Sequence, residues 1–168
     1  DPSTGLREPR AGFPFDAGGP GGRGPCMTEA DDRRQLVKMR LEQARQTLKD
    51  GRSLLAADML STRSVVNRAY YAAFYAVMAL LQTIGKVPRK HQGAISLFEL
   101  EFVKTGELPK EMSKWLRTLF RMRMDDDYMV MEDVTVEEAE QALGTSERMI
   151  EAIGTYLVKT DWIHDNGN

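Results

Sequence analysis

The sequence predicts an all-α protein, an antiparallel four-helix bundle with one additional short helix. Apolar residues after Met27 recur every three or four positions in five segments, which is the spacing of a helix with one buried face. No segment of the sequence alternates apolar and polar residues as a half-buried strand does. Short connections with glycine or proline separate the segments, so neighbouring long helices are expected to run antiparallel.

The first predicted helix spans residues 31–55 and the second spans residues 61–84. Gly51 weakens the first by about 1 kcal/mol relative to alanine without ending it. The second has a further face of small residues, which predicts a central helix, and Gly85 is its C-cap candidate. The expected inward positions are Leu36, Met39, Ala44, Leu48 and Leu55 in the first, and Val66, Tyr70, Ala73, Val77, Leu80 and Ile84 in the second.

Three further helices complete the predicted fold. A short third helix covers residues 91–104, and Pro109 is placed to open the fourth in its first turn. The fifth begins at Thr135, which forms a capping-box pattern with Glu138. An unbroken apolar stripe then runs to Leu157.

Residues 1–26 are expected to lie outside the fold. They hold 7 of the 14 glycines and 5 of the 7 prolines, so they cannot bury enough apolar surface to become ordered. We interpret them as an expression-derived leader, with a native disordered arm as the alternative, and residues 27–168 as a single helical domain. The one cysteine, Cys26, allows no disulfide framework and no cysteine metal site. No apolar run approaches the roughly 18–20 residues of a membrane span, so a soluble cytoplasmic protein without metal or cofactor is expected.

Charge is unevenly distributed although the net charge is only −2. Residues 86–123 carry nine Lys/Arg against four Asp/Glu, whereas residues 124–168 carry two against twelve. A weakly acidic chain is not a general nucleic-acid binder through bulk charge. A local basic surface remains suited to binding a phosphate, or the acidic tail of a second copy.

Residues 117–130 go against the local preferences of the helix that they end. Three consecutive aspartates follow its last apolar turn, where the helix dipole favours cations by roughly 0.3–1 kcal/mol per charge. At about 100° per residue, Arg123 falls on the inner face, where a charge requires a partner such as Asp127. The segment is therefore a candidate functional site, and a structural ion pair that locks the helix end is the alternative.

Three further groups of side chains are candidates for binding. Arg68, Tyr71 and Tyr75 lie off the main apolar stripe of the second helix, where they line a cleft or fill a helix–helix seam. Lys90 and His91 stand at the predicted start of the third helix, whose free N–H groups favour a phosphate. The outer face of the fourth helix carries a basic stripe that either is simply solvated or contributes to binding: Lys110, Lys114, Arg117 and Arg121.

These residues together resemble the HEPN family (higher eukaryotes and prokaryotes nucleotide-binding domains), in particular its small stand-alone prokaryotic members. The resemblance covers roughly residues 32–158. The segments that carry it are 67–74, Lys90-His91 before 95–98, the turn at 102–106, and Arg123 with Asp127-Tyr128.

The resemblance implies a helical bundle that forms a homodimer and is often encoded beside a minimal nucleotidyltransferase as a toxin–antitoxin pair. Active members are metal-independent endoribonucleases whose motif is Arg, a short spacer, His, one residue and Tyr. In that mechanism the RNA 2′-OH attacks the adjacent phosphate, while His transfers protons and Arg stabilises phosphoryl charge.

This chain departs from that motif. When the motif is aligned on Tyr128, Arg121 takes the Arg position and Asp126 takes the place of His. A carboxyl group with an ordinary pKa near 3.9 is a poor acid at pH 7, so weak or absent nuclease activity is expected. The chain is closer to the family's Arg…Asp-Tyr form, which Arg123 and Asp127 match. Tyr128 then corresponds to the tyrosine that partner nucleotidyltransferases modify.

Three hypotheses follow from the sequence and the resemblance. The first is a HEPN-type dimer that binds RNA or a nucleotide, with Arg123, Asp127 and Tyr128 in the cleft and Lys90 and His91 on the phosphate. The second is an active endoribonuclease that uses His91, or a partner group, in place of the motif histidine. The third is a structural or adaptor bundle. Secondary candidates are Asp126 for catalysis, and Arg68, Tyr71, Lys114, Arg117 and Arg121 for RNA binding.

Overall fold

A computed structural model describes residues 28–57, 61–124 and 134–164 of the chain. All secondary structure within these ranges is helical, which confirms the predicted all-α class. The helices are α1 (Glu29–Ala56), α2 (Thr62–Thr83), α3 (His91–Phe98) with a π-helical continuation (Glu99–Val103), α4 (Glu111–Met124) and α5 (Val136–Lys159).

Helix α1 begins with a capping box that links Thr28 and Asp31, each of which accepts a hydrogen bond from the other's backbone N–H at 3.1 Å. Its buried stripe differs in phase from the predicted one at the N-terminal end. Leu36 and Met39 are 42% and 59% exposed, because the buried positions repeat at a 4-3-4-3 spacing that passes beside them: Val37, Leu41, Ala44, Leu48 and Gly51.

Gly51 is required by close packing between helices. A Cβ atom at this position would lie 2.8 Å from Cδ2 of Leu143 in α5 and 3.1 Å from Cβ of Arg68 in α2. The missing side chain therefore lets three helices approach one another, which offsets the helix-propensity cost of glycine.

Helices α1 and α2 run antiparallel, as predicted. Gly51, near the end of α1, lies against Arg68 near the start of α2. Arg33, near the start of α1, lies against Gly85, just beyond the end of α2. Gly85 has φ 68° and closes α2: its N–H donates to the carbonyl of Gln82, and the N–H of Lys86 donates to the carbonyl of Leu81.

Helix α2 is the central helix, because α1, α3, α4 and α5 all pack against it. Its small residues at positions 69, 72, 73, 76 and 79 are fully buried, which lets the surrounding helices approach closely. The predicted central position is therefore confirmed. Ile84, the last predicted inward residue of α2, is 38% exposed because it is the C-cap where the helix turns away.

The third and fourth helices differ from their predicted limits. The α-helical part of the third ends at Phe98, and a π-helical turn follows, with the N–H of Lys104 bonded to the carbonyl of Glu99 at 2.8 Å. Helix α4 begins at Glu111, so Pro109 precedes its first turn. At α5, the predicted capping box between Thr135 and Glu138 is present.

Candidate functional site

Arg123, in the last turn of α4, points to the interior of the bundle rather than to the solvent. Met112, Leu116 and Leu119 on the same face are buried, and Arg123 itself is half-buried. Its guanidinium carbon lies 5.3 Å from the ring centroid of Tyr70 and 5.0 Å from that of Tyr71. These distances allow cation–π attraction to both rings, which holds the side chain in place.

His91, the first residue of α3, lies in the same region. Its Nδ1 atom is 2.7 Å from the hydroxyl of Tyr70, a hydrogen-bond distance. Its ring stacks on Phe74 with centroids 4.4 Å apart and planes 13° apart. Tyr70 and Phe74 are one turn apart on α2, so a single face of that helix positions the imidazole. We call Arg123, His91, Tyr70, Tyr71 and Phe74 the Arg123 cluster.

The protonation states of the Arg123 cluster are set mainly by burial. Burial raises the pKa of the Tyr70 phenol far above its ordinary value; the charge of Arg123 opposes this effect and Tyr71 adds to it. Burial, and then the positive charge of Arg123, lower the pKa of His91 below 6.5. At pH 7 Tyr70 is therefore a neutral phenol and His91 a neutral imidazole.

A neutral imidazole has one N–H donor and one lone pair. Tyr70 engages Nδ1 and leaves Nε2 for a ligand. Nε2 accepts a proton when Nδ1–H donates to the Tyr70 oxygen, and it donates when the Tyr70 hydroxyl donates to Nδ1. Arg123 supplies the positive charge beside it. The Arg123 cluster can therefore bind an anion through the guanidinium and exchange a proton through the imidazole.

The other predicted site residues lie in several places. Lys90 is exposed at the N-cap of α3, directly before His91. Arg68 is exposed, with its Cβ beside Gly51 of α1. Lys114 and Arg121 line an open groove between α4 and α5, on the outer side of α4.

Arg117 is placed on the outer face of α4 as predicted, and it has a specific partner. Its guanidinium group makes two charge-assisted hydrogen bonds to the carboxylate of Glu99 in the π-helical turn. This pairing raises the pKa of Arg117. The positive charge of Arg117 is therefore already paired with a carboxylate of the same chain.

Asp126, Asp127 and Tyr128 lie outside the described residues. The Arg123–Asp127 pair and the roles of Asp126 and Tyr128 therefore stay predictions.

The structure adds a polar role for Tyr70 that sequence reasoning missed. The helical period correctly placed Tyr70 in the core, where its side chain is fully buried. A buried phenol hydroxyl needs a hydrogen-bond partner, and that requirement was the signal available in the sequence. His91, 21 positions along the chain, is the partner that the fold supplies.

Two searches of the described part of the chain bear on metals and membranes. In the ranges 28–57, 61–124 and 134–164, no group of three or more His, Cys, Asp or Glu side chains is arranged to hold a metal ion. None of the helices in these ranges is both long enough and apolar enough to cross a bilayer.

The helical bundle and its sequence define the class of protein. The profile of the HEPN domain matches residues 37–156, and the chain belongs to the HEPN family. This finding confirms the resemblance drawn from the sequence.

The chain is similar to small prokaryotic proteins over most of their length. It is 34% identical over 123 residues to a UPF0332 protein of Thermotoga maritima, a match that covers 73% of this chain and 92% of the relative. It is also similar to two proteins of Methanocaldococcus jannaschii, each named as a putative toxin. One is 32% identical over 126 residues (75% of this chain, 84% of the relative) and the other 31% identical over 122 residues (73% and 89%).

Proposed function

We propose that this chain is the HEPN half of a toxin–antitoxin pair and binds RNA or a nucleotide at the Arg123 cluster. The family match and the names of the two relatives support a toxin-like protein that acts on nucleotides or RNA. In this proposal Arg123 binds a phosphate, and Lys90, which is exposed directly before His91, adds a second positive charge.

The proposal rests mainly on which groups surround Arg123. Within the described residues its contacts are ring faces, and no carboxylate lies within ion-pair distance. Ring faces hold a guanidinium group without using its N–H donors. No described residue accepts a hydrogen bond from Arg123, so the proposal assigns its donors to a phosphate, whereas those of Arg117 are directed at Glu99.

The remaining parts of the proposal concern residues that follow α4 in the sequence, and they rest on the family resemblance. Asp127 and Tyr128 complete the cleft, with Asp126 beside them, and a minimal nucleotidyltransferase modifies Tyr128. A homodimer brings two such clefts together. These steps extend the site along the chain from Arg123, and each can be tested separately.

A second candidate function is metal-independent RNA cleavage with His91 in place of the motif histidine. The observation that favours it is the position of His91 within the Arg123 cluster, beside the arginine that would stabilise phosphoryl charge. In the tautomer whose Nδ1–H donates to the Tyr70 oxygen, the neutral imidazole accepts the proton of the RNA 2′-OH through Nε2. O2′ then attacks the adjacent phosphorus and the bond from phosphorus to the 5′-oxygen breaks, which gives a cyclic phosphate. The 5′-oxygen takes a proton from water, and the imidazolium returns its proton to the resulting hydroxide.

Binding and cleavage can be measured on the purified full chain. We expect a fluorescein-labelled single-stranded RNA or a nucleotide to bind, and its affinity to fall at least about tenfold in Arg123→Gln. Failure of the wild-type chain to bind or cleave any RNA or nucleotide, alone or with a co-expressed nucleotidyltransferase, would contradict the proposal. Mass spectrometry of the co-expressed pair, with Tyr128→Phe as the control, tests the modification.

Two histidine variants separate cleavage from binding. His91→Asn keeps an amide near Nδ1, where Tyr70 needs a partner, and removes Nε2. His91→Gln places an amide near Nε2 and leaves Tyr70 without its partner. If His91 acts through Nε2, His91→Asn abolishes cleavage in the presence of a chelator and retains RNA binding. Cleavage at the wild-type rate in His91→Asn would rule out this second function.

A further inference from the structure

His91 and Arg123 contact the same two aromatic rings. The guanidinium carbon of Arg123 lies 5.3 Å from the Tyr70 ring centroid and 5.0 Å from that of Tyr71. The imidazole centroid of His91 lies 5.7 Å from the Tyr70 ring and 5.9 Å from the Tyr71 ring. A permanent cation and a group that becomes a cation on protonation therefore share one half-buried cluster, where charges are screened less than at the surface.

The charge of Arg123 opposes protonation of His91. Burial lowers the pKa of His91, and the charge of Arg123 lowers it further. A ligand that neutralises the charge of Arg123 should therefore raise the pKa of His91. By thermodynamic linkage, a proton on His91 then strengthens the binding of that ligand by the same factor.

The other polar groups that surround His91 do not supply the neutralising charge. Helix α2 contributes two phenols, Tyr70 and Tyr71, and α4 contributes Arg123. Lys90, which precedes His91 in the chain, is a further cation. The cluster therefore holds an excess of positive charge even before His91 is protonated.

The two carboxylates of the π-helical turn, which packs against α3, have other partners. Glu99 is paired with Arg117, and Glu101 is paired with Lys86. Within the ranges 28–57, 61–124 and 134–164, no carboxylate forms an ion pair with His91. A bound anion would therefore supply the counter-charge that these ranges lack.

Tyr70 allows His91 to gain a proton without losing its hydrogen bond. The Tyr70 oxygen lies 2.7 Å from Nδ1 of His91, and a hydroxyl group can donate or accept. When both ring nitrogens carry a proton, Nδ1–H donates to the Tyr70 oxygen. Nε2–H is then a further donor from which an anion can accept a hydrogen bond.

We propose that the Arg123 cluster is a pH-dependent anion site, in which anion binding at Arg123 is accompanied by uptake of a proton on His91. The inference rests on the proposed function, because it concerns the same site, and it adds how binding there is regulated. The proton comes from the solvent and bonds to the imidazole nitrogen that lacks one, and no bond of the anion breaks. Affinity for the anion therefore rises as the pH falls through the pKa of His91 in the bound state.

His91 can be followed directly, because the chain has only two histidines. Proton NMR of the imidazole C–H resonances of the full chain, from about pH 8 to about pH 5, records the titration of each ring. His91→Asn and His164→Asn assign the two resonances. Sulfate is the probe, because it keeps the same charge over this range, and chloride at matched ionic strength is the control. We expect sulfate to raise the pKa of His91 and to leave the His164 resonance unchanged.

Two arginine variants test whether the coupling passes through Arg123. Arg123→Gln should raise the pKa of His91 in chloride, because the opposing charge is gone, and sulfate should then cause no further rise. Arg148→Gln is the matched control, since Arg148 lies over the Trp115 ring and should leave the response to sulfate as in the wild-type chain. No change in the wild-type His91 titration as sulfate is added, or the same response in Arg123→Gln, would overturn the inference.

An oligouridylate without terminal phosphates extends the test to the proposed class of ligand. Neither uracil nor a phosphodiester changes its charge between about pH 8 and about pH 5, so a change in affinity belongs to the protein. We expect the affinity of the wild-type chain to rise at least about fivefold over this range. His91→Asn should remove the pH dependence and His164→Asn should retain it. Equal pH dependence in the wild-type chain and His91→Asn would contradict the inference.

The inference and the proposed function can fail separately. If sulfate raises the pKa of His91 but the chain binds no RNA or nucleotide, the anion site stands and the proposed function is wrong. If the oligouridylate binds through Arg123 with the same affinity at both ends of the pH range, the inference is wrong and the proposed function stands. The sulfate titration of the wild-type chain does not depend on how any variant folds.

Discussion

Two arginines of this bundle lie over aromatic rings at similar distances but in different surroundings. Arg123 lies 5.0 Å from the ring centroid of Tyr71, and Arg148 in α5 lies 4.8 Å from that of Trp115 in α4. Arg148 is exposed and also donates to the hydroxyl of Thr145, one turn away. Arg123 is half-buried and lowers the pKa of His91 beside it.

The difference shows that a cation–π contact alone does not identify a binding site. At Trp115 the contact connects α4 to α5 at the surface, where it contributes about 0.5–1 kcal/mol. At Tyr70 and Tyr71 the same kind of contact places a charge next to an imidazole, a buried phenol and partly exposed rings. The neighbouring side chains determine what each arginine can do. Substitutions of these neighbours should therefore have different effects in the two regions.

Replacing the aromatic residue that contacts each arginine by alanine should give the largest difference in stability between the two regions. Tyr70→Ala should lower the free energy of unfolding by about 3–5 kcal/mol, because the ring is fully buried and the neighbouring helices cannot fill the space. Trp115→Ala should cost less, roughly 1–2 kcal/mol, since that ring is partly exposed. Urea unfolding followed by circular dichroism measures both. Equal costs would show that the two regions are built alike.

A smaller change tests the hydrogen bond between Tyr70 and His91. Tyr70→Phe keeps the ring and removes the hydroxyl, so we expect a loss of about 0.5–1.5 kcal/mol in the free energy of unfolding. Tyr75→Phe is the control, because the hydroxyl of Tyr75 makes no side-chain hydrogen bond within the described residues. A similar cost for both variants would count against a specific Tyr70–His91 bond.

The smallest expected effect is a pH dependence of stability that belongs to the Arg123 cluster. The pKa of His91 is lower in the folded chain than its ordinary value of 6.5, so the unfolded chain takes up the proton first as the pH falls. This contribution to stability is complete above about pH 6.5 and is lost as the pH falls through the folded pKa.

Unfolding measured from about pH 8 to about pH 5 should therefore show a slope in the wild-type chain that His91→Asn removes. His164→Asn, which leaves His91 in place, should retain that slope. A slope that persists in His91→Asn would assign the pH dependence to another group.

The fold followed from the sequence because helical spacing and capping are local properties. The capping box at Thr135, the glycine stop at Gly85 and the central position of α2 were all predicted correctly. The buried stripe of α1 was misplaced at Leu36 and Met39, because apolar residues on adjacent faces satisfy a helical period almost equally well. Contact with the neighbouring helices selects the stripe through Val37 and Leu41.

The candidate site was only partly predictable. Periodicity along α4 was enough to direct Arg123 inward, since that argument needs one helix. Arg123, His91 and Tyr70 lie on three different helices. No local sequence pattern indicates how close these three side chains come to one another. The pairing of Arg117 with Glu99 was missed for the same reason, because their side chains meet across the π-helical turn and α4.

The most direct measurement is RNA affinity as a function of salt for Arg123→Gln and Arg148→Gln. We expect Arg123→Gln to weaken single-strand binding about tenfold or more and to reduce the salt dependence by roughly 0.7 in log–log slope, as the loss of one phosphate contact requires. Arg148→Gln should bind as the wild-type chain does. Equal losses in the two variants, or no loss in Arg123→Gln, would contradict the assignment of Arg123 as the phosphate-binding group.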